Sequence, residues 1–98
     1  MAGVRFEWDE RKNALNRRKH AVSFEEARSV FLDEFALLIP DPDQSHPEER
    51  FVLLGLSAMA RTLVVCHCVR AAGDAIRIIS ARKANRAERG TYTDRLER

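Results

Sequence analysis

The sequence predicts an α+β domain in which one antiparallel β-sheet carries helices packed on one face. Apolar and polar residues alternate near the N-terminus and in the second half of the chain, as they do in β-strands. Two capped segments between residues 9 and 33 have helical spacing instead. Short turns join the later strands, which favours antiparallel neighbours. The predicted element order is β-α-α-β-β-β-β-α, and 98 residues suit one domain, 1–98.

The chain begins with a predicted strand that leads directly into a helix. Val4 to Trp8 alternates apolar and polar side chains, with the apolar ones on one side. Asp9 then provides a good N-cap, because its carboxylate can accept a hydrogen bond from a free backbone N–H of the first turn. The helix is predicted to end at about Lys19 or His20.

A second helix and a second strand follow. Ser23 begins a capping-box pattern, so a helix is predicted to start there and to end near Asp33. Apolar side chains at positions i, i+3 and i+7 give this helix a core-facing side: Phe24, Ala27 and Phe31. The short apolar run from Phe35 to Pro40 predicts the next strand.

The second half of the chain contains three strands and a final helix. The polar segment from Asp41 to Glu49 contains two prolines and is predicted to be an exposed loop. The strands that follow are predicted at about Arg50 to Ala58, Thr62 to Arg70 and Ala75 to Ser80. The last helix is predicted from Arg82 to about Arg89, and Gly90 ends or bends it.

Charge is distributed unevenly along the chain. Residues 1–50 contain 8 Lys and Arg against 11 Asp and Glu, a net charge of −3. Residues 51–98 contain 9 against 4, a net charge of +5. A basic half suits a polyanionic partner because each neutralised phosphate releases counterions. Basic helices are also common as ordinary solvated surfaces, so charge alone does not establish such a partner.

The composition argues against a membrane protein and against a metal site. No apolar run approaches the ~20 residues that span a bilayer. Met1 to Arg5 lacks the apolar core of a signal peptide, so we expect a cytoplasmic protein. Cys66 and Cys68 are expected to be buried free thiols, because they cannot supply a four-ligand zinc site alone. No cofactor is expected.

Polar side chains form a stripe on the first predicted helix. Lys12, Asn16 and Lys19 recur at helical spacing, with His20 at the edge. The stripe is either a solvated surface or the cationic edge of an RNA site. His20 suits proton transfer, because histidine alone titrates near neutrality without perturbation, but it also suits a helix C-cap.

Arginines recur in the last predicted strand and helix. Arg77 lies between β-branched residues, so its stem can pack while its guanidinium reaches a carboxylate or a phosphate. Arg82, Arg86 and Arg89 are predicted to share one side of the last helix. This row suits phosphates or an acidic partner, and it is equally compatible with a solvated face paired to nearby carboxylates.

Two stretches of the chain resemble motifs of the BrnT family, the toxins of BrnT/BrnA toxin–antitoxin pairs. The first consists of Trp8-Asp9, Lys12, Asn16, Lys19-His20 and Val22-Ser23-Phe24. The second is Arg77-Ile78-Ile79-Ser80-Ala81-Arg82. Further matches are Glu49-Arg50, Gly55-Leu56-Ser57, Ala84, Glu88-Arg89 and Tyr92. The resemblance covers about residues 6 to 92, nearly the whole chain.

The chain departs from the family pattern at four positions. Ala21 and Ala60 stand where the family has turn glycines, so both turns must accommodate a Cβ atom. His67 and Val69 stand where the family tends to have tyrosine and glutamate.

The resemblance implies a RelE-like fold and a ribonuclease toxin that cleaves single-stranded or ribosome-associated RNA without a metal and so inhibits translation. The catalytic residues that it implies are Lys19, His20, Glu49, Arg61, Arg77 and Arg82. The three arginines would stabilise the phosphate with assistance from Lys19, and His20 or Glu49 would be the base or the acid.

The resemblance also implies partners. Lys12, Arg86 and Arg89 would bind RNA or an antitoxin. That antitoxin would be BrnA-like, with a ribbon-helix-helix fold, and would bring the toxin to operator DNA only as a complex. The alternative is a non-catalytic module that binds RNA or the antitoxin, such as a degenerate toxin that acts as a corepressor.

Overall fold

Residues 4–43, 45–70 and 73–97 are described by the computed structural model, and their elements follow the predicted order. The strands are β1 (Arg5–Glu7), β2 (Leu37–Pro40), β3 (Arg50–Leu56), β4 (Thr62–Arg70) and β5 (Ala75–Lys83). The helices are α1 (Glu10–His20), α2 (Phe24–Ser29), a 3-10 turn (Val30–Leu32) and α3 (Arg86–Leu96). The α+β class is confirmed. Residues 1–3, on which the signal-peptide prediction partly rests, lie outside the described residues.

The five strands form one sheet in the order β1-β5-β4-β3-β2. Strands β2 to β5 pair antiparallel with their neighbours, as predicted. β1 instead pairs parallel to β5, with Arg5 opposite Ala75 and Glu7 opposite Arg77. The sheet is therefore mixed. Alternation within β1 shows which side faces the core, but it does not encode the direction of a partner strand 70 residues away.

The helices lie on both faces of the sheet, whereas the prediction placed them all on one. α1, α2 and the 3-10 turn cover a core that consists of Val22, Phe24, Ala27, Val30, Leu53, Leu63, Val65, Ile78 and Ala81. α3 packs on the opposite face, where Tyr92 and Ala84 contact Leu54 and Val64. Neighbouring residues of a strand point to opposite faces of the sheet. Because β3 and β4 have apolar side chains on both faces, helices must cover both faces of the sheet.

The last helix begins later than predicted. β5 remains paired with β4 as far as Lys83, and α3 begins after Asn85. The Asn85 side chain accepts from the Glu88 N–H at 2.8 Å, and the Glu88 carboxylate accepts from the Asn85 N–H at 2.8 Å. This reciprocal capping box fixes the helix start. Arg82 is therefore a strand residue that shares no helical row with Arg86 and Arg89, and Gly90 lies inside the helix.

Two alanines adopt left-handed backbone conformations, at the positions where the family has glycine. Ala21 has a φ of 58° and ends α1, where its N–H donates to the Arg17 carbonyl at 2.9 Å. Ala60 has a φ of 60° in the turn between β3 and β4. An L-residue pays about 1–2 kcal/mol for this conformation, whereas glycine adopts it freely.

We therefore expect Ala21→Gly to raise the free energy of unfolding by about 1 kcal/mol and Tm by about 4–8 °C. Thermal denaturation followed by circular dichroism measures the change. Ala14→Gly is the matched control, because Ala14 is exposed inside α1, where glycine should cost about 1 kcal/mol. A Tm for Ala21→Gly equal to or below that of the wild type would contradict the left-handed assignment.

No helix within the described ranges is long and apolar enough to cross a membrane. Cys66 and Cys68 are both free thiols, as predicted, but only Cys68 is fully buried. Cys66 is half-buried at the sheet face that α3 leaves uncovered, where its thiol donates to Asp41 Oδ2 at 3.5 Å.

Candidate functional site

The uncovered part of the second sheet face forms an open groove of about 430 Å³, called here the sheet groove. The side chains of Val52 and Val64, on β3 and β4, line it. The loop that follows β2 and the beginning of α3 also contribute residues. The polar side chains that line it include His20, His46, Arg50, Ser80, Arg82 and Glu88. The groove thus brings two histidines and two arginines together.

A second groove, also about 430 Å³, lies between α1 and β5 and is called here the helix groove. Lys12 and Lys19 line it, as does the apolar Leu15. Three residues line both grooves: His20, Ile79 and Ser80. The two grooves therefore adjoin at these residues and are together called here the depression, with Lys12, Arg18 and Lys19 in the helix groove and Arg50 and Arg82 in the sheet groove. A polyanionic strand fits such a surface.

Asn16 lines the helix groove and also holds its walls together. It is buried, and its Nδ2 donates to the carbonyls of Val22 at 2.8 Å and Ala81 at 2.7 Å. The Ala81 N–H donates back to Asn16 Oδ1 at 3.1 Å. β1 pairs with β5 only as far as Arg77, so the backbone of Ala81 has no partner among the described strands on that side. The Asn16 amide supplies the missing hydrogen bonds and so fixes α1 against β5. Lys12 and Lys19 owe their position in the groove to this contact.

Arg82 lies in the sheet groove in a two-bond ion pair with Glu88. Nη1 lies 2.8 Å from Oε1, and Nη2 lies 2.8 Å from Oε2. The hydrogen bonds from Arg82 hold the pKa of Glu88 below its ordinary value, and Glu88 raises the pKa of Arg82. The guanidinium is therefore charged and fixed in orientation. The two short bonds use two of its five N–H donors, which leaves others for a phosphate.

Asp43, His46 and Arg50 also line the sheet groove, and together with Glu48 they form a hydrogen-bonded cluster. His46 Nε2 lies 3.1 Å from Asp43 Oδ2 and 3.1 Å from Arg50 Nη1. Arg50 also donates to Glu48 Oε1, from Nη2 at 2.9 Å and from Nε at 3.1 Å. Hydrogen bonds from Ser45, with a smaller contribution from His46, hold the pKa of Asp43 below its ordinary value.

Sequence reasoning missed His46 and Arg50. His46 lies in the polar segment that was predicted only as an exposed loop. Arg50 belongs to the Glu49-Arg50 motif, but the prediction favoured Glu49. Strand alternation was the available signal, because it places Arg50 on the same side of β3 as Val52, which lines the groove.

Three of the predicted catalytic residues lie outside both grooves. Arg61 pairs with the buried Glu26, and its Nη2 also donates to the Ala21 carbonyl at 3.0 Å. Arg77 pairs with Glu7 at 3.2 Å, where β1 meets β5. Glu49 is exposed just before β3. The structure therefore gathers Lys19, His20 and Arg82, but not these three.

The two predicted binding arginines of α3 also lie outside the grooves. Arg86 and Arg89 are exposed, and Arg89 Nη1 donates to the Ala84 carbonyl at 2.9 Å. They form a basic surface on α3, and Glu88 in the first turn of that helix lines the sheet groove. A role in partner binding stays a prediction.

Comparison with known proteins supports the resemblance seen in the sequence. The model of the family described as "Ribonuclease toxin, BrnT, of type II toxin-antitoxin system" matches residues 8–88. No curated protein matches the chain. The crystal structure of the Brucella abortus ribonuclease toxin BrnT aligns with a TM-score of 0.66 at 21% identity, covering 85% of this chain and 99% of that one. That structure supports the fold. Because the family model matches most of its length, the chain belongs to the BrnT family of ribonuclease toxins of type II toxin–antitoxin systems.

Proposed function

We propose that this chain is an active endoribonuclease and that its active site is the depression formed by the sheet and helix grooves. One observation carries the proposal: Lys19, His20 and Arg82, which sequence reasoning selected separately, line this one depression. Cleavage of RNA by its own 2′-hydroxyl needs a proton acceptor, a proton donor and cations around the phosphate. The depression offers histidines and fixed cations for these tasks.

Three cations of the depression have a part in the proposed reaction. Arg82 contacts the non-bridging oxygens of the scissile phosphate, where negative charge increases in the pentacoordinate transition state. Lys12 and Lys19 contact neighbouring phosphates along the helix groove and set the position of the strand. His20, at the junction of the grooves, accepts the proton of the 2′-hydroxyl. These steps use side chains alone, so we propose that cleavage needs no metal.

The substrate class follows from the shape of the depression. It is open to solvent and runs along the protein surface, which suits a single strand with unstacked bases better than a duplex. We propose single-stranded or ribosome-associated RNA as the target and inhibition of translation as the consequence, in the cytoplasm.

The proposed partner is an antitoxin of the BrnA-like, ribbon-helix-helix type with an acidic segment. Arg86 and Arg89 on α3 present an exposed basic surface that such a segment would cover. Binding there would place the partner beside Arg82 and Glu88, at the wall of the sheet groove. The complex, rather than the toxin alone, would bind operator DNA.

A second candidate function is binding without cleavage. It is favoured by the ion pairs of the three arginines that were expected to stabilise the phosphate. Arg61 pairs with Glu26, Arg77 with Glu7 and Arg82 with Glu88. In a degenerate toxin these pairs would be purely structural, and the chain would serve as a corepressor with its antitoxin.

Inducible expression of the chain alone separates the two candidates. An active ribonuclease should stop growth and fragment RNA, and the purified protein should cleave a single-stranded RNA in EDTA. Co-expression of a ribbon-helix-helix protein encoded by a neighbouring gene should restore growth. Normal growth with intact RNA, at confirmed soluble expression, would favour the corepressor, and cleavage that EDTA abolishes would overturn metal independence.

A further inference from the structure

We propose that His46 is the general acid that protonates the leaving 5′-oxygen during RNA cleavage, opposite His20 as the base. This inference rests on the proposed ribonuclease function and deepens it. His46 and His20 line the same sheet groove, His46 from the loop that follows β2 and His20 from the end of α1.

The chemistry requires a second proton-transfer group. The 2′-oxygen forms a bond to phosphorus and gives its proton to the base. The bond from phosphorus to the 5′-oxygen breaks, and that oxygen takes a proton from the acid. The products are a 2′,3′-cyclic phosphate and a 5′-hydroxyl, so atoms and charge balance without a co-reactant. In an in-line displacement the attacking and leaving oxygens lie on opposite sides of phosphorus, so a histidine that faces the 2′-hydroxyl does not also face the leaving 5′-oxygen.

His46 is the best placed of the described groups for the other transfer. Glu49, the carboxylate that sequence reasoning offered, is exposed and lies outside both grooves. Cys66 lines the sheet groove, but burial raises its pKa to about 11, which makes the thiol a poor acid near neutrality. An imidazolium is a much stronger acid and suits a leaving alkoxide.

Two groups lie at hydrogen-bonding distance from the same ring nitrogen of His46. Nε2 is 3.1 Å from Asp43 Oδ2 and 3.1 Å from Arg50 Nη1. A protonated Nε2 donates to Asp43, which holds the ring in one orientation. With Nε2–H on Asp43, Nδ1 is the nitrogen left to release a proton to the substrate.

The charged groups around His46 match this assignment. On its own loop the carboxylate of Asp43 faces the ring, and Arg50 on β3 links it to Glu48. The other titratable groups that line the groove are Asp41, Cys66, His20, Arg82 and Glu88. Since Asp43 is held ionised, it can accept from an imidazolium before transfer and from the Nε2–H tautomer after transfer.

The test compares two substrates that differ in one atom. The first is an RNA that the wild type cleaves, and the second is the same RNA with sulfur in place of the scissile 5′-oxygen. A thiolate leaves without protonation, so sulfur removes the need for an acid but not for a base. His46→Gln should lower kcat on the oxygen substrate by about 100-fold or more, and by less than about tenfold on the sulfur substrate.

His20→Gln is the matched comparison. Because His20 is assigned as the base, its loss should be equally severe on both substrates. Tm and binding of a 2′-deoxy analogue should be the same for His46→Gln and the wild type. Asp43→Asn keeps the imidazole of His46, so it should lower kcat on the oxygen substrate by less than His46→Gln does, and the sulfur substrate should also relieve this loss. This variant provides a second test if His46→Gln does not fold.

Three outcomes would overturn the assignment. A wild-type rate for His46→Gln on the oxygen substrate would remove His46 from the reaction. A loss that sulfur leaves unchanged would show that His46 does not act as the acid. Intact RNA with the wild-type protein would refute the proposed function itself, and the assignment with it.

Discussion

Replacing Arg82 with alanine should lower kcat/KM for RNA cleavage by about 100-fold or more, while Tm changes by only a few degrees. The physical reason is the difference between its two environments. In the free protein Arg82 is 44% exposed, and its pair with Glu88 is worth less than about 1 kcal/mol. In the proposed reaction its fixed donors would face the phosphate oxygens as charge increases, and such a contact is worth about 3–4 kcal/mol per donor group.

Arg70→Gln is the control for this experiment. Arg70 is an exposed arginine at the far end of β4 and lies outside both grooves, so the substitution removes the same charge elsewhere. Steady-state cleavage of a short RNA and thermal melting measure the two quantities. If Arg82→Ala unfolds the protein, or if its activity equals that of Arg70→Gln, then Arg82 belongs to a structural ion pair.

Replacing Arg61 with alanine should have the opposite profile and chiefly destabilise the protein. We expect a loss of about 3 kcal/mol and a fall in Tm of roughly 10–20 °C. The side chain of Glu26 is only 4% exposed, so removal of Arg61 leaves a buried carboxylate without its charge partner. Arg61 Nε donates to Glu26 Oε2 at 2.9 Å, and the Ser57 hydroxyl alone, at 2.7 Å, would remain.

The exposed ion pair between Arg77 and Glu7 provides the control. Its side chains are 31% and 39% exposed, so Arg77→Ala should cost less than about 1 kcal/mol. The double variant Glu26→Gln/Arg61→Ala should recover part of the stability that Arg61→Ala loses, because no buried charge remains. Equal melting temperatures for Arg61→Ala and Arg77→Ala would contradict the buried-pair account.

The same pair predicts how stability depends on pH. Hydrogen bonds from Arg61 hold the pKa of Glu26 below its ordinary value of 4.5, although burial acts in the other direction. A carboxyl with a lowered folded-state pKa stabilises the protein above its unfolded-state pKa, and this contribution is lost as the pH falls through the folded-state value. The stability gap between wild type and Arg61→Ala should therefore be largest near neutrality. It should narrow as the pH falls, first as the unpaired Glu26 of the variant is protonated and then as wild type loses the contribution of its own Glu26. Denaturant titrations at several pH values measure it.

The helix caps show how much local structure can be read from the sequence. Asp9 and Ser23 cap α1 and α2 as predicted, because a cap depends only on a short side chain and the N–H groups two or three residues on. The capping box predicted at Ser23 forms only in half, since the Glu26 carboxylate bonds to Arg61 and Ser57. The shifted start of α3 was also readable, since Asn85 and Glu88 have the spacing of a capping box. The spacing of Arg82, Arg86 and Arg89 wrongly indicated a helix that begins at Arg82, because the same spacing also arises when a strand residue precedes a helix.

The candidate site was readable only in part. Motif spacing selected Lys19, His20 and Arg82, which share one depression, but it also selected Arg61 and Arg77, which do not. These arginines pair with carboxylates 35 and 70 residues away. No local pattern distinguishes an arginine that will find a buried glutamate from one that will face a groove.

Residue order alone determined the order of strands and helices, the caps of α1 and α2, the positions of the turns at Ala21 and Ala60, and membership of the family. Each depends on neighbours along the chain or on a motif. The tertiary structure alone decided the parallel direction of β1, the second face that α3 covers, and the placement of His20 and His46 in one groove. These features depend on which elements pack together, because periodicity shows only the side of its own element on which a residue lies.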